Sequence, residues 1–376
     1  MIKVAVVGLG KMGLSHLSII KAHPDVSLVA VCDTAKYVLD LLEKYTGVAV
    51  YSDYDTLLQQ EALDAVIIAT PSSSHGPMVR AALQRNINVF CEKPFCLDVD
   101  EGKELAQLAQ SKGLVNQVGY HYRFDAAFQE TKRLLDAGAI GEVTHILAEA
   151  YGPVILQPKG ATWRTRRSEG GGCLYDYAAH PLNLINWYFG RPESVGGTVL
   201  NQIFSQETDD EVYGTLYFPG GKSAQISVNW SDESYRRMTT KLNIWGTGGR
   251  IYVDRQECQV YIRDNVAVPA GYEPGWNVRY TTELTPEVWF YVRGEEYSSQ
   301  LDYFIRCIKE GRKENVNSFA SALETDQVMA MMITDSEQGR HVGEYTPVVR
   351  SEPSIMRWLH RLFGKRIMDF HKKIKK

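Results

Sequence analysis

Near the N-terminus, Gly8-Leu9-Gly10-Lys11-Met12-Gly13 has the residue types and spacing of a phosphate-binding turn. It follows the apolar run 2–7 and opens a helix-like stretch containing Leu14, Leu17, Ile19 and Ile20. Between a strand and a helix, each glycine has its own task. Gly8 permits the tight turn, Gly10 lets the main chain approach a pyrophosphate, and Gly13 lets the helix pack closely on the strand. The helix N-terminus adds N–H donors and a positive dipole end. Asp33 lies 20 residues beyond Gly13 and closes the next apolar run. A carboxylate there binds the 2′-hydroxyl of an adenosine ribose and repels the 2′-phosphate of NADP. Thr34 follows, not an arginine; Lys36 is a nearby cation that argues the other way. A structural turn beside a solvated Asp is the alternative, but the register of strand, turn, helix, strand and acid predicts NAD in preference to NADP.

These residues need a scaffold, and the chain supplies one. Short Val- and Ile-rich runs at 2–7, 27–32, 48–51, 64–69, 87–91 and 114–119 alternate with helical patterns. Runs apolar on both faces fit a buried parallel sheet, and the alternation fits a doubly wound α/β domain over 1–122. After residue 122 the pattern changes. A helix is expected over 124–137, then alternating strand-like runs at 143–151, 194–204, 211–218, 223–230, 239–246 and 259–263, separated by Gly and Pro turns. This predicts an α+β domain over 123–348 with a large, mostly antiparallel open-faced sheet. Helical patterns at 176–189, 296–311 and 318–339 are expected to cover one face of it.

With 376 residues and a net charge of −4, the chain has room for two or three domains and lacks a whole-chain basic field for nucleic acid. No apolar run is long enough to span a bilayer, and the N-terminal run passes directly into the glycine turn, so it reads as a strand and not a signal peptide. The six cysteines form no CxxC pair and sit in apolar segments, which predicts reduced thiols in a cytoplasmic protein and no metal site.

Three further segments carry a resemblance. Residues 69–76 read Ala-Thr-Pro-Ser-Ser-Ser-His-Gly, residues 90–94 Phe-Cys-Glu-Lys-Pro, and residues 170–180 Gly-Gly-Gly-Cys-Leu-Tyr-Asp-Tyr-Ala-Ala-His. With the glycine turn, Gly-Tyr-His-Tyr-Arg-Phe at 119–124 and Trp163-Arg164, the chain resembles the glucose–fructose oxidoreductase/inositol dehydrogenase/MocA (Gfo/Idh/MocA) family over about residues 1–345. The resemblance implies nicotinamide chemistry on sugars, inositols or nucleotide sugars. It also implies homodimers or homotetramers packed through the second sheet. It makes Lys93, Asp176 and His180 the catalytic group. His180 would take a proton from the substrate hydroxyl, Lys93 would polarise the reacting oxygen, and Asp176 would orient the imidazole or bind a substrate hydroxyl. Glu92 is expected near the nicotinamide ribose, Thr70 and Pro71 where the main chain meets the cofactor, and His75 either along the cofactor cleft or anchoring a helix start. Tyr120 and His121 are candidate substrate contacts. Trp163 and Arg164 are expected to reach into the cleft. Taken singly, Lys93 also reads as a solvated loop lysine, His180 as a helix-packing residue and Asp176 as an N-cap. Two other functions remain open: an NAD-dependent glycosidase that oxidises transiently, and a non-catalytic NAD-binding sugar sensor.

The tail, 349–376, lies beyond the resemblance. Residues 351–376 carry a net charge of +6, leaving −10 on the rest of the chain. Ile355, Trp358, Leu359, Leu362, Phe363, Ile367, Phe370 and Ile374 recur at helical spacing, and Gly364 interrupts them. Such a stripe suits a helix packed on this subunit or a neighbour, or a peripheral contact with an anionic membrane surface. The membrane reading predicts that the full-length chain sediments with anionic vesicles at low salt, and that deleting 351–376 abolishes this while sparing NAD binding. Full-length protein that stays in the supernatant would assign the stripe to a protein interface.

Overall fold

The computed structural model describes residues 1–155, 162–291, 294–313 and 315–339. Its first part runs β1 (Ile2–Val7), α1 (Lys11–Ala22), β2 (Val26–Cys32), α2 (Lys36–Thr46), β3 (Ala49–Tyr51), α3 (Tyr54–Gln60), β4 (Ala65–Ile68), α4 (His75–Gln84), β5 (Asn88–Cys91), α5 (Val99–Lys112) and β6 (Asn116–Val118). The six strands form one parallel sheet in the order β3-β2-β1-β4-β5-β6. Strand order reverses between β1 and β4, so the connections leaving their C-terminal ends diverge and open a crevice. Side chains alternate across the sheet. Val4 and Val6 pack with Ile19 and Ile20 of α1, while Ala5 and Val7 belong to the layer containing Val79, Leu83 and Leu105.

The chain continues through α6 (Ala126–Asp136), β7 (Val143–Tyr151), α7 (Ala179–Phe189), β8 (Ser194–Asn201), β9 (Glu211–Tyr217), β10 (Ser223–Asn229), β11 (Lys241–Gly246), β12 (Gly249–Val253), β13 (Glu257–Ile262) and β14 (Gly275–Tyr280). It closes with α8 (Thr281–Leu284), α9 (Glu295–Glu310) and α10 (Phe319–Gln338). The eight strands lie in the order β14-β13-β12-β11-β7-β10-β9-β8. Every neighbouring pair is antiparallel except β7–β10, which is parallel because α7, β8 and β9 intervene as a crossover. Alternate residues such as Ile146, Ala148, Leu242, Ile244, Ile251 and Val260 are fully buried on the inner face. The outer face exposes Tyr217, Tyr261, Trp276, Val278 and Tyr280.

The sheets and their class agree with expectation, but several details differ. Strands β12 and β14 lie outside the expected runs: β12 starts on the glycine pair of a hairpin, and β14 is an edge strand with no buried residue. The stretch expected as a helix from 176 begins instead as a π-helical turn at Leu174–Ala178 and becomes α-helical at Ala179. Helix α9 does not cover the second sheet. Its Leu301, Phe304 and Ile305 pack with Val4, Val6 and Phe90 on the first sheet, the Phe90 and Phe304 rings lying 5.9 Å apart. Periodicity shows that a helix has a buried face but not which sheet receives it.

The described residues belong to one compact unit, and the tail at 349–376 lies outside them. All six cysteines are buried and unpaired. Among the described residues, no helix is long and apolar enough to cross a membrane.

Candidate active site

The glycine turn sits at the C-terminal end of β1. Gly8 has φ +86°, and a Cβ there would stand 2.6 Å from the Ala69 carbonyl oxygen, so the turn packs directly against the segment leading to Thr70 and Pro71. A Cβ on Gly13 would overlap the Gly8 carbonyl, so only glycine lets α1 come this close to the strand. Gly10 is different: no atom of the described residues lies within 4 Å of where its Cβ would be. Among the described residues no side chain caps α1, which leaves its first N–H groups without a side-chain acceptor. An uncapped helix start behind an open glycine fits a dinucleotide pyrophosphate. Asp33 accepts from the Leu9 N–H at 2.5 Å and the Ala35 N–H at 2.7 Å, which places its carboxylate beside the turn, with Thr34 exposed next to it. These residues fit NAD: Gly8–Gly13 would hold the diphosphate and Asp33 the adenosine ribose.

Beyond β5, Glu92 and Lys93 enter the crevice ahead of a cis Lys93–Pro94 bond. The Lys93 ammonium donates to the Asp176 main-chain carbonyl at 2.6 Å and to its carboxylate at 3.1 Å. The other Asp176 oxygen accepts from Arg164 Nε at 2.9 Å. Burial raises the Asp176 carboxyl pKa, but the Lys93 and Arg164 cations outweigh it and hold it below the usual carboxylate range. The carboxylate is thus committed to two cations and makes no hydrogen bond to His180. The expectation that Asp176 orients the imidazole is replaced by a geometry in which it orients Lys93. The π-helical turn accounts for this. An i, i+4 pair shares a face of an α-helix, whereas the wider turn displaces residue 176 from that line.

His180, on the first turn of α7, is buried among Tyr120, His121 and Tyr122, with ring centroids 6.1, 5.0 and 5.2 Å away. Its Nδ1 has no hydrogen-bond partner among the described residues. Burial, then the charges of Lys93, His121 and Arg255, push its pKa well below the ordinary imidazole value. His121 is depressed by burial, Arg255 and Lys93, and stacks on Tyr297 at 4.5 Å. A neutral imidazole beside a fixed ammonium can take a proton from a hydroxyl while the ammonium stabilises the oxygen left behind.

The remaining candidates fall into place around this pair. Trp163 lies under the Arg164 guanidinium at 4.6 Å in a single turn of 3₁₀ helix. That turn rests on the glycine run, since Gly172 N–H donates to the Arg164 carbonyl at 3.1 Å. His75 is placed beneath the crevice. It is fully buried, and its two nitrogens face the carbonyls of Pro94 at 2.8 Å and Thr70 at 3.1 Å, so it shapes the crevice through the main chain.

Several residues here were missed by sequence reasoning. His16 is one: its Nε2 donates to Glu92 Oε1 at 2.6 Å, tying the phosphate-binding helix to the strand end that carries Lys93. Burial raises the Glu92 pKa, but His16 and Lys93 outweigh it and the net shift is downward. The position of His16, three residues after Gly13, was the available signal. Arg255 reaches in from the β12–β13 hairpin, 5.8 Å from the Tyr122 ring, and pairs with the buried Glu296 at 2.5 Å. Burial and Glu296 push the nearby Asp125 carboxyl up to about 7. No local pattern marks these residues, because distant segments bring them together.

Comparison with known proteins gives a consistent result. Residues 2–120 match the model of an oxidoreductase family with an NAD-binding Rossmann fold, and residues 128–252 match the GFO/IDH/MocA C-terminal domain. The chain is 26% identical to scyllo-inositol 2-dehydrogenase (NAD(+)) of Bacillus subtilis over 86% of this chain and 91% of that protein. It is 30% identical to 2,7-anhydro-N-acetylneuraminate hydratase of Mediterraneibacter gnavus over 68% of this chain and 67% of that protein. Levoglucosan dehydrogenase, solved with NADH and levoglucosan, superposes with a TM-score of 0.78 at 20% identity, covering 90% of this chain and 97% of that one.

Lys93→Ala and His180→Ala are each expected to lower turnover by roughly 10²–10⁴-fold while NAD affinity, measured by titration, stays close to wild type. Because the His180 imidazole is depressed, the wild-type kcat/KM should stay flat as pH falls through about 6.5, where an unperturbed histidine protonates. An acid limb centred there, or turnover within a few-fold of wild type in both variants, would remove His180 and Lys93 from these roles.

Proposed function

Because the chain belongs to the Gfo/Idh/MocA oxidoreductase family, we propose that it transfers a hydride between NAD and a hydroxyl-bearing carbon of a sugar, polyol or nucleotide sugar. The observation that carries this reading is the buried Lys93–Asp176 pair at 3.1 Å, near a His180 whose pKa is lowered first by burial and then by the Lys93 charge. NAD, when bound, supplies the hydride acceptor or donor; the protein supplies everything else. The substrate hydroxyl sits between Lys93 and His180. His180 removes its proton, and the Lys93 ammonium stabilises the oxygen as charge develops. Asp176 aims the Lys93 ammonium through its carbonyl and carboxylate. His121 and Arg164 line the space for the rest of the substrate, Tyr120 packs behind His180, and Trp163 stacks its indole against the planar Arg164 guanidinium. Glu92 is suited to a nicotinamide ribose, since its carboxylate lies one residue from Lys93 and accepts from the Lys93 N–H at 3.2 Å.

The 30% identical relative is named a hydratase and not a dehydrogenase, which favours a second reading on the same residues. In that reading oxidation is transient and NAD is restored within each turnover.

One experiment separates the two. The protein is incubated with NAD and a panel of inositols, anhydrosugars, glucosides and nucleotide sugars, following both NADH absorbance and sugar products. Net NADH formation is expected, with NADP giving a far smaller signal. Product without NADH supports the transient reading. A bound sugar with neither outcome indicates a sensor, and a preference for NADP would overturn the role given to Asp33.

The outward aromatic row of the second sheet supports a further proposal, that two copies or two pairs of copies pack through this face. Trp276 is 58% exposed and Tyr280 51%, and Tyr261 lies against Trp276 at 5.4 Å on the same face. An exposed apolar patch of this kind marks a contact surface. Light scattering is expected to give a dimer or tetramer, and Trp276→Glu combined with Tyr280→Glu to give a monomer. A monomeric wild type would sink the proposal.

A further inference from the structure

The π-helical turn at Leu174–Ala178 carries both Asp176 contacts to Lys93, yet it has no side-chain cap of its own. Its first N–H groups are taken up by a residue far away in the sequence. Asp209, in the loop before β9, accepts from Cys173 N–H through its main-chain carbonyl at 2.8 Å and from Leu174 N–H through its carboxylate at 2.6 Å. The fit is close on the other side too. Gly172 has φ +117°, and any Cβ there would collide with the Asp209 carboxylate. Asp210 anchors the same loop, accepting from the N–H groups of Ile203, Phe204 and Ser205 at 2.7–2.9 Å. The loop is therefore braced before it braces the turn.

We propose that Asp209 is a positioning residue for the reaction: by gripping the start of the π-helical turn it fixes the Asp176 carbonyl and carboxylate that hold the Lys93 ammonium in place. Three links make the chain of contacts, from Asp209 to Leu174, along one turn to Asp176, and from Asp176 to Lys93. A helix start left without acceptors frays, and a shift of about 1 Å at a reacting group costs on the order of 10²-fold in rate. Burial pushes the Asp209 carboxyl up to about 6, so at pH 7.5 it is mostly the ionised form, the better acceptor at a helix N-terminus. The proposal rests on the role given to Lys93 above, but its test does not depend on finding the substrate.

The test uses the full-length protein at pH 7.5 and compares wild type with Asp209→Ala and Asp209→Asn. The first readout is the acetylation rate of Lys93 by dilute acetic anhydride, measured by mass spectrometry against the exposed Lys103 in the same sample. The second is amide exchange over residues 170–180. In Asp209→Ala, Lys93 reactivity is expected to rise about tenfold as its charge-assisted bonds loosen, with faster exchange confined to 170–180. Asparagine keeps an acceptor oxygen and should recover most of both effects. With any panel sugar that is turned over, kcat should fall roughly tenfold to a hundredfold in the alanine variant, with NAD affinity unchanged and partial rescue by asparagine. If Asp209→Ala does not fold, Asp209→Ser, one bond too short to reach Leu174, takes its place. Exchange that quickens while Lys93 reactivity stays at the wild-type level would overturn the proposal and leave Asp209 a local cap. Failure of every panel sugar would count against the proposed function and leave the reactivity result standing.

Discussion

The structure depends on a buried carboxylate shared between two cations. Asp176 holds Lys93 on one side and Arg164 on the other, and the three come from separate parts of the chain. Taking such charges out of water is costly, and the cost is met only when geometry is good and the remaining polar atoms are satisfied. That requirement explains much of what surrounds them. The π-helical turn offers its Asp176 carbonyl to the ammonium as well as its carboxylate. The glycine run at 170–172 brings the 3₁₀ turn of Arg164 close enough to reach. His75 ties the Pro94 end of the Glu-Lys-Pro segment to Thr70 at the end of β4. The aromatic surroundings of His180 keep a second positive charge from forming nearby.

The same arrangement divides labour between the two sheets. The parallel sheet contributes backbone, an open glycine turn, an uncapped helix start and strand ends, with the Asp33 carboxylate beside them. Residues from β7 onward contribute side chains: Arg164, Asp176, His180 and Arg255. Lys93 and Glu92 stand at the seam, and His16 ties that seam to the phosphate-binding helix. A site assembled this way can change its substrate by altering the second part without disturbing the first, which suits a family whose relatives bear different substrate names.

Local chemistry was legible in the sequence, and non-local chemistry was not. The glycine turn and Asp33 were readable because their spacing reflects strand and helix geometry over some 25 residues. All six strands of the first sheet were found to within two residues, since buried parallel strands are continuous apolar runs. Lys93, Asp176 and His180 are legible through resemblance; that Asp176 serves Lys93 is not, because spacing alone does not show that its turn is π-helical. Arg255, Glu296 and Asp209 were missed because what makes them matter is a partner dozens or hundreds of residues away. Helix α9 shows the same limit: its amphipathic stripe was plain, its destination was not.

That destination bears on how the chain is made. Val4, Val6, Ile19 and Phe90 leave a ribosome early, but the Leu301, Phe304 and Ile305 that cover them emerge nearly two hundred residues after β6 is complete. At roughly 5–20 residues per second, one face of the nascent sheet waits on the order of 10–40 s for its cover. During synthesis the dinucleotide-binding half is therefore a half-dressed layer, open to holding chaperones and to unwanted association on that one side. It is finished only after the strands of the second sheet have already been made.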